Sequence, residues 1–214
     1  VGDSNAMQWL PALELAAPTE DWHIVTYGKG SCTFVSAPTA QAGRPFPECD
    51  EWNRAVLAEL RALVPDVIVT SANPSVWADG GGRDAHEAAV VPAFVEQWRI
   101  LREVAPLVVL GNSPDSPNDL DVCVARHPED ISACDFARDD ATASNRLDQM
   151  RTAATAVPGV RFLDLSGLVC PGDICPVVID SVTVHRPGNH ITATFAERAE
   201  PLLTPVVRSA LSLG

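Results

Sequence analysis

Two patterns of apolar residues alternate along the chain, one with the spacing of a helix face and one of short continuous runs. Apolar side chains spaced for one face of a helix recur in four segments, at 5–17, 51–64, 85–104 and 141–157. Between them lie short runs rich in β-branched residues, at 22–27, 67–70, 107–110 and 160–164. Such runs are typical of parallel strands buried on both faces. Strands that alternate with helices predict an α/β fold whose parallel sheet is covered by helices on both sides.

The carboxyl-terminal part of the chain predicts a hairpin and one more helix. The apolar segment 177–184 has the β-prone composition of a hairpin. Asn189 is a predicted N-cap for a final helix that runs to about Ser212. Pro201 and Pro205 predict kinks or a break within that helix.

Size and composition fit a single domain over residues 1–214. Hydrophobic residues make up 46% of the chain and charged residues 20%, which is enough for a buried core. No apolar run reaches about 18 residues, and no signal-peptide pattern is present. Because the chain opens at Val1 in the middle of what resembles a motif, we expect a domain cut from a longer protein.

The charge pattern argues against two classes of partner. The formal net charge is −13, and the basic residues are scattered. Nucleic-acid surfaces need clustered lysine and arginine, and anionic membranes repel an acidic domain. Neither nucleic acid nor an anionic membrane surface is therefore expected to bind.

The six cysteines fall into three pairs that are local in the sequence: Cys32 with Cys49, Cys123 with Cys134, and Cys170 with Cys175. Six cysteines allow 15 connectivities, and sequence alone does not choose among them. Local pairing is the simplest interpretation, because each pair brackets a loop rich in proline and glycine. Disulfides persist outside the reducing cytosol, so this interpretation predicts an extracytoplasmic domain. The alternative is zinc bound by Cys123, His127 and Cys134, although the spacing is not that of a zinc ribbon or finger.

Ser4 is a candidate nucleophile. Gly2, Asp3 and Ser4 lie where a strand end is predicted to turn into the first helix. A serine there exposes its hydroxyl and places its backbone N–H at the helix start, which suits attack that creates an oxyanion. Taken alone, the tripeptide is better explained as a helix cap, because Asp and Ser are common caps.

Asn73 and His190 complete a catalytic set with Ser4. Asn73 follows the 67–70 strand and can donate its side-chain amide to an oxyanion, although Asn73-Pro74 also fits an ordinary turn. His190, predicted at the start of the last helix, can act as general base and then general acid, although a lone histidine is more often an exposed or cap-region residue. Nucleophile, oxyanion donor and base all fall at predicted strand-to-helix boundaries. That shared location favours one catalytic site over three separate structural explanations.

At this point the sequence resembles the SGNH (GDSL-type) hydrolases, and more narrowly the SGNH domain fused behind a membrane-embedded acyltransferase-3 domain. The resemblance covers essentially the whole chain. It rests on GDSN and QWLPAL at 2–13, KGSC at 29–32, CDEW at 49–52, PDVIV at 65–69, CVARH at 123–127, CPGDICP at 170–176 and HRPGNHITATFA at 185–196.

The resemblance implies a three-layer α/β/α sandwich around a parallel sheet of about five strands. It also implies an extracytoplasmic domain that handles O-acyl groups, usually acetyl, on cell-envelope or exported carbohydrate. Ser4 carries over as nucleophile, His190 as base and Asn73 as oxyanion donor. A glycine after the second strand should add a backbone N–H, and Gly30 is preferred over Gly28 because it lies in the Lys-Gly-Ser-Cys loop. The implied partners are an acyl donor, a glycan acceptor and an upstream membrane acyltransferase-3 domain, and no metal or organic cofactor is needed.

The chain departs from the family pattern at Pro187. The family has an Asp three residues before the histidine, where it fixes the tautomer and stabilises the imidazolium. Three explanations stay open: a Ser–His dyad oriented by a backbone carbonyl, a substitute acid for which Asp180 is the nearest upstream candidate, or a domain that has become weak in catalysis or a binding module.

The sequence thus predicts acyl transfer through an acyl-Ser4 intermediate, by a transferase or an esterase. The rival is a non-catalytic domain that binds carbohydrate or a partner and assists a membrane acyltransferase. A redox-active disulfide protein is a more distant alternative, since no Cys-x-x-Cys occurs. Trp77, just beyond Asn73, is a candidate for stacking on a sugar ring, with core packing as the alternative.

Overall fold

A computed structural model describes residues 1–78, 82–143, 146–187 and 189–212. Its α-helices are α1 Ser4–Met7, α2 Leu10–Glu20, α3 Pro47–Leu63, α4 Arg83–Val104, α5 Leu120–Arg126, α6 Arg138–Thr142, α7 Leu147–Thr155, α8 Ser166–Val169, α9 Ala193–Ala196 and α10 Glu200–Leu211. Two short 3₁₀ helices cover Ile131–Cys134 and Glu197–Ala199. The strands are β1 Ala40–Gln41, β2 Arg44–Pro45, β3 Ile68–Thr70, β4 Leu107–Leu110, β5 Phe136–Ala137, β6 Val160–Leu163, β7 Ile174–Cys175, β8 Val178–Ile179, β9 Val182–Thr183, β10 His185–Arg186 and β11 His190–Ile191.

The central sheet is parallel and has the order β3-β4-β6. Ile68 lies opposite Leu107, which in turn lies opposite Val160. Beyond β3, Gly2 forms isolated parallel bridges with Ser71 on one side and Gly28 on the other. The α/β class and the parallel sheet are therefore confirmed, but the expected count of about five strands is wrong: the described residues form three, extended by two single bridges.

The central strand β4 is apolar at all four positions, and its packing on both faces explains why. Leu107 and Val109 pack into one hydrophobic cluster, whereas Val108 and Leu110 pack into another. Successive strand residues point to opposite faces, so both faces of the sheet are buried. The first cluster is contributed mainly by α3, α4 and α7, and the second by α2, α9 and α10. These are the three layers of an α/β/α sandwich.

The segment 22–27, expected to be a strand, has no regular strand structure. Val1 and Gly2 lie between it and β3: the terminal amino group of Val1 donates to the Val69 carbonyl at 2.8 Å, and the Gly2 N–H donates to the Tyr27 carbonyl at 3.1 Å. The rest of the space is an apolar groove of about 430 Å³.

Two predicted helices are divided. The segment 5–17 becomes α1 and α2, because Pro11 lies at the start of α2, where its missing N–H costs nothing. The segment 141–157 becomes α6 and α7, with Arg146 in the left-handed region at φ 56° just before α7. The hairpin expected at 177–184 is formed by β8 and β9.

Asn189 is not the N-cap of the final helical segment, so that prediction is wrong. The cap is Thr192, whose side-chain oxygen accepts a hydrogen bond from the Phe195 N–H. Asn189 instead has φ 59° and leads into the short strand β11. His190 therefore lies on a strand, two residues before the cap.

Three disulfides join Cys32 to Cys49, Cys123 to Cys134 and Cys170 to Cys175. These are the local pairs that the simplest interpretation of the sequence predicted. In the described part of the chain, no helix is both long and apolar enough to cross a membrane.

Candidate active site

A polar cleft of about 460 Å³ opens at the carboxyl ends of the parallel strands. Functional sites of parallel α/β folds cluster at this edge. Its lining residues are Asp3, Ser4, Asn5, Ser31, Ala40, Gln41, Ala42, Asn73, Ser75, Asn112, Asp115, Arg146, Asn189 and His190. The cleft thus brings together Ser4, Asn73 and His190, which lie far apart in sequence.

Ser4 begins α1 directly after the Gly2 bridge. Gly2 has φ +143°, and a Cβ at that position would lie 2.3 Å from the Ser71 carbonyl oxygen. Only glycine allows so close an approach of the two backbones. The Asp3 side chain caps the turn by accepting from the Asn5 N–H at 2.8 Å. Ser4 itself stays partly exposed on the cleft.

Asp3 connects the Ser4 turn to the Asn73 loop. Its second carboxylate oxygen accepts a hydrogen bond from the Asn73 backbone N–H at 2.7 Å. The side chain is 1% exposed. Burial raises the pKa of Asp3 to about 6, although the hydrogen bonds from Asn73 and Asn5 act in the opposite direction. The carboxylate is therefore costly to bury and is held by backbone donors on both oxygens.

The backbone around Asn73 is fixed from its other side by Thr33. The Thr33 hydroxyl donates to the Asn73 carbonyl at 2.6 Å and accepts from the Ser75 N–H at 2.9 Å. Thr33 follows Cys32, which is bonded to Cys49 in α3. With its backbone held at both N–H and C=O, Asn73 keeps an exposed side chain at the cleft.

His190 is placed by contacts that are distant in sequence. It lies opposite Arg186 in the β10–β11 pair. The N–H of the next residue, Ile191, donates to the Gln8 side-chain oxygen at 3.0 Å. On the other side of His190, the Asn189 side-chain oxygen accepts from the Ser116 hydroxyl at 3.0 Å. His190 is partly buried at the wall of the cleft.

Gly30 does not line the cleft, whereas its neighbour Ser31 does. Ser31 has φ +58° in the turn that follows Gly28. Gly30 is exposed, and a Cβ placed on it would meet no atom within 4 Å. Gly28 belongs to the sheet through its bridge with Gly2.

Two other residues predicted for the site lie outside the cleft lining. Asp180, the proposed substitute acid, is 82% exposed at the β8–β9 turn and forms a 2.8 Å ion pair with Arg198. Its carboxylate is bonded to Arg198 and does not line the cleft. Trp77 is half-buried, and its ring lies 4.7 Å from the ring of His86, measured between centroids. Pro187 is exposed and lies beside a separate shallow pocket.

Sequence reasoning missed Asp115, Asn112 and Arg146, which all line the cleft. Asn112 and Asp115 follow the carboxyl end of β4, so the rule that singled out Asn73 after β3 could have found them. Arg146 could not be found in this way, because it precedes α7 and is brought to the cleft by tertiary packing. Its guanidinium forms an ion pair with Glu87 of α4.

The zinc alternative has lost two of its ligands, since Cys123 and Cys134 are bonded to each other. Across the described residues, no group of three or more His, Cys, Asp or Glu side chains is arranged to hold a metal ion.

Comparison with known proteins places the chain in a family. The model of the SGNH domain fused to AT3 domains matches residues 1–205. A search of curated proteins found no match. Among solved structures, the chain is similar to the periplasmic domain of a lipopolysaccharide acetyltransferase from Salmonella ser. Paratyphi A. The TM-score is 0.64 at 13% identity, and the match covers 96% of this chain and 81% of the other. The chain belongs to the SGNH domains that are fused to AT3 domains.

Proposed function

We propose that the protein transfers O-acyl groups through an acyl-Ser4 intermediate. The observation that carries the proposal is that Ser4, Asn73 and His190 line one cleft at one edge of the sheet. An acyl-transfer site needs a nucleophile, an oxyanion donor and a base within reach of one reacting carbonyl. The family membership supports the same assignment.

In the first half-reaction, His190 takes the proton of the Ser4 hydroxyl while Ser4 Oγ attacks the carbonyl carbon of the donor. The bond from that carbon to the leaving group breaks, and the leaving group takes the proton from His190. In the second half-reaction, His190 takes a proton from the acceptor hydroxyl, which attacks the acyl-serine. Ser4 Oγ then leaves and regains its proton.

The tetrahedral oxyanion would be held by the Asn73 side-chain amide and the Ser4 backbone N–H. A third donor would come from the turn after Gly28, where the Gly30 and Ser31 amides are the candidates. Ser31 lines the cleft. Donors fixed before the reaction stabilise the oxyanion without reorganisation, and the clamps of Asp3 and Thr33 on the Asn73 backbone meet that requirement.

The cleft favours a small acyl group and a hydrophilic acceptor. Among its described lining residues, the apolar side chains are only Ala40 and Ala42, and the rest carry polar groups. A long acyl chain would find no apolar surface there to replace water. An acetyl group and a carbohydrate hydroxyl suit this lining, and the lipopolysaccharide acetyltransferase named above is a protein of the same fold.

We place the reaction outside the cytoplasm, with the acyl group supplied by a membrane acyltransferase-3 domain of the same protein. Three disulfides are typical of an oxidising compartment. The family is described by its fusion to such domains. The upstream domain would then deliver acyl groups to Ser4, and this domain would pass them to a glycan.

The test compares hydrolysis of 4-nitrophenyl acetate by the wild type and by Ser4→Ala. We expect the wild type alone to exceed the background, and equal rates for the two would contradict the proposal. A glycan acceptor added to the same assay separates the two kinds of enzyme. Acetylated glycan identifies a transferase, and hydrolysis alone identifies an esterase.

A second candidate function, carbohydrate binding without catalysis, is favoured by one observation. Pro187 stands where the family has its orienting Asp, and Asp180 is engaged elsewhere. Saccharide binding by calorimetry, together with a Ser4-independent background rate, would support this second function and contradict the first.

A further inference from the structure

Gln8 lies one helical turn after Ser4 and is almost fully buried. Its N–H donates to the Ser4 carbonyl at 3.0 Å, closing the single turn of α1. Residues four apart lie on the same face of a helical turn. The side chain of Gln8, which is 6% exposed, therefore lies beneath the turn that presents Ser4.

The Gln8 amide contacts two further walls of the cleft. Its oxygen accepts from the Ile191 N–H at 3.0 Å, and its nitrogen donates to the Ser113 hydroxyl at 3.3 Å. Ile191 follows His190, and Ser113 follows Asn112, which lines the cleft. One buried side chain thus joins the Ser4 turn, the His190 strand and the loop after β4.

The His190 strand needs such an anchor. It has two residues, pairs with β10 alone among the described strands, and is preceded by Asn189 at φ 59°. An apolar residue in place of Gln8 would fill the same space among Trp9 and its neighbours, but would leave the buried Ile191 N–H without its acceptor. An unpaired buried amide is strongly unfavourable, so the strand would shift to find another partner.

We propose that Gln8 is a positioning residue that fixes His190 relative to Ser4. The inference rests on the proposed function, because it concerns how the base reaches the nucleophile. Gln8 touches no reacting atom and acts through the backbone of Ile191. Displacing a catalytic group by about 1 Å can cost about 10²-fold in rate, so the loss of this link should appear in kcat rather than in KM.

The test uses Gln8→Met, which keeps the volume and removes both hydrogen bonds. We expect kcat for 4-nitrophenyl acetate to fall about 10²-fold while KM stays within about twofold. Gln8→Glu keeps an oxygen for the Ile191 N–H and should recover at least about tenfold of the loss. The matched control is Gln97→Met. Gln97 is 2% exposed and accepts from the Ser36 hydroxyl, and neither residue lines the cleft.

A wild-type kcat in folded Gln8→Met, or an equal loss in Gln97→Met, would overturn the inference. Should Gln8→Met not fold, Ser113→Ala takes its place, because it removes the partner of the Gln8 nitrogen. We then expect kcat to fall about fivefold, and an unchanged kcat would overturn the inference. Failure of the proposed function is seen separately, as a Ser4→Ala rate equal to that of the wild type.

Discussion

The Asp3 carboxylate accepts a hydrogen bond from the Asn73 backbone N–H at 2.7 Å, across 70 residues of sequence. Its other oxygen caps the turn that begins with Ser4. A single buried side chain therefore sets the spacing between the proposed nucleophile and the proposed oxyanion donor. The acid is retained although burial disfavours its charged form.

The first prediction concerns the pH dependence of stability. Burial holds the pKa of Asp3 at about 6 in the folded chain, whereas the ordinary value, which applies to the unfolded chain, is 3.8. Between these values the folded state binds more protons, so the free energy of unfolding falls as pH rises. The difference corresponds to about 3 kcal/mol, present below pH 3.8 and lost above about pH 6.

Asp3→Asn has no proton to lose and should lack this dependence. Urea unfolding between pH 4 and pH 7 measures it as the difference between the two proteins. Burial also lowers the pKa of His185, whose titration changes stability in the opposite direction, but this contribution is common to both and cancels. Parallel stability curves for wild type and Asp3→Asn would contradict the prediction.

The second prediction concerns Asn73. Loss of one oxyanion donor typically costs about 10²–10³-fold in kcat, so Asn73→Ala should lower kcat by about that factor. The Asn73 side chain is exposed and its backbone contacts survive the change, so the melting temperature should change little. Steady-state kinetics and thermal unfolding of the same preparation check both expectations. A rise in KM with an unchanged kcat would show that Asn73 binds substrate instead.

The local sequence pattern was sufficient to predict a strand where burial on both faces requires an apolar residue at every position. The Leu107–Leu110 strand could be predicted because each of its four residues packs into a core. The 22–27 segment has a similarly β-prone local composition, but it forms no strand in the structure. Strand identity is thus a property of pairing as much as of sequence.

The candidate site also combines positions that local pattern predicts with positions that long-range contacts determine. Ser4 and Asn73 could be predicted because both follow strand positions at one edge of the sheet. His190 was expected at the start of a helix but lies on strand β11, which is held by contacts with Gln8 and β10. Such long-range contacts leave no local signature.

The third prediction compares two disulfides that are expected to stabilise the fold by similar amounts. Loop-closure entropy gives about 3 kcal/mol for each, because the bridged residues are 17 and 11 apart. Replacing both cysteines of either pair by serine should therefore lower stability about equally. Activity should differ, because Cys32 precedes Thr33, which holds the Asn73 backbone.

We expect Cys32→Ser with Cys49→Ser to lose about tenfold or more in kcat, as displaced catalytic groups do. The matched control is Cys123→Ser with Cys134→Ser. It removes the disulfide that joins α5 to the following 3₁₀ helix, and neither helix lines the cleft. Kinetics at a temperature where both variants are folded by circular dichroism give the comparison. Equal kcat values for the two double variants would show that the Cys32–Cys49 disulfide does not position the site.

The last prediction asks which carboxylate acts on His190. Asp3 and Asp115 are the acidic residues among the described lining of the cleft, and both Asp3 oxygens accept from backbone amides. A negative charge within the same cleft favours the imidazolium of His190 even without a direct bond. Asp115→Asn should therefore slow the reaction about tenfold. Asp180→Asn is the control, because Asp180 is exposed and paired with Arg198, so its kcat/KM should match the wild type. The reverse result, a loss of activity in Asp180→Asn and none in Asp115→Asn, would contradict the prediction.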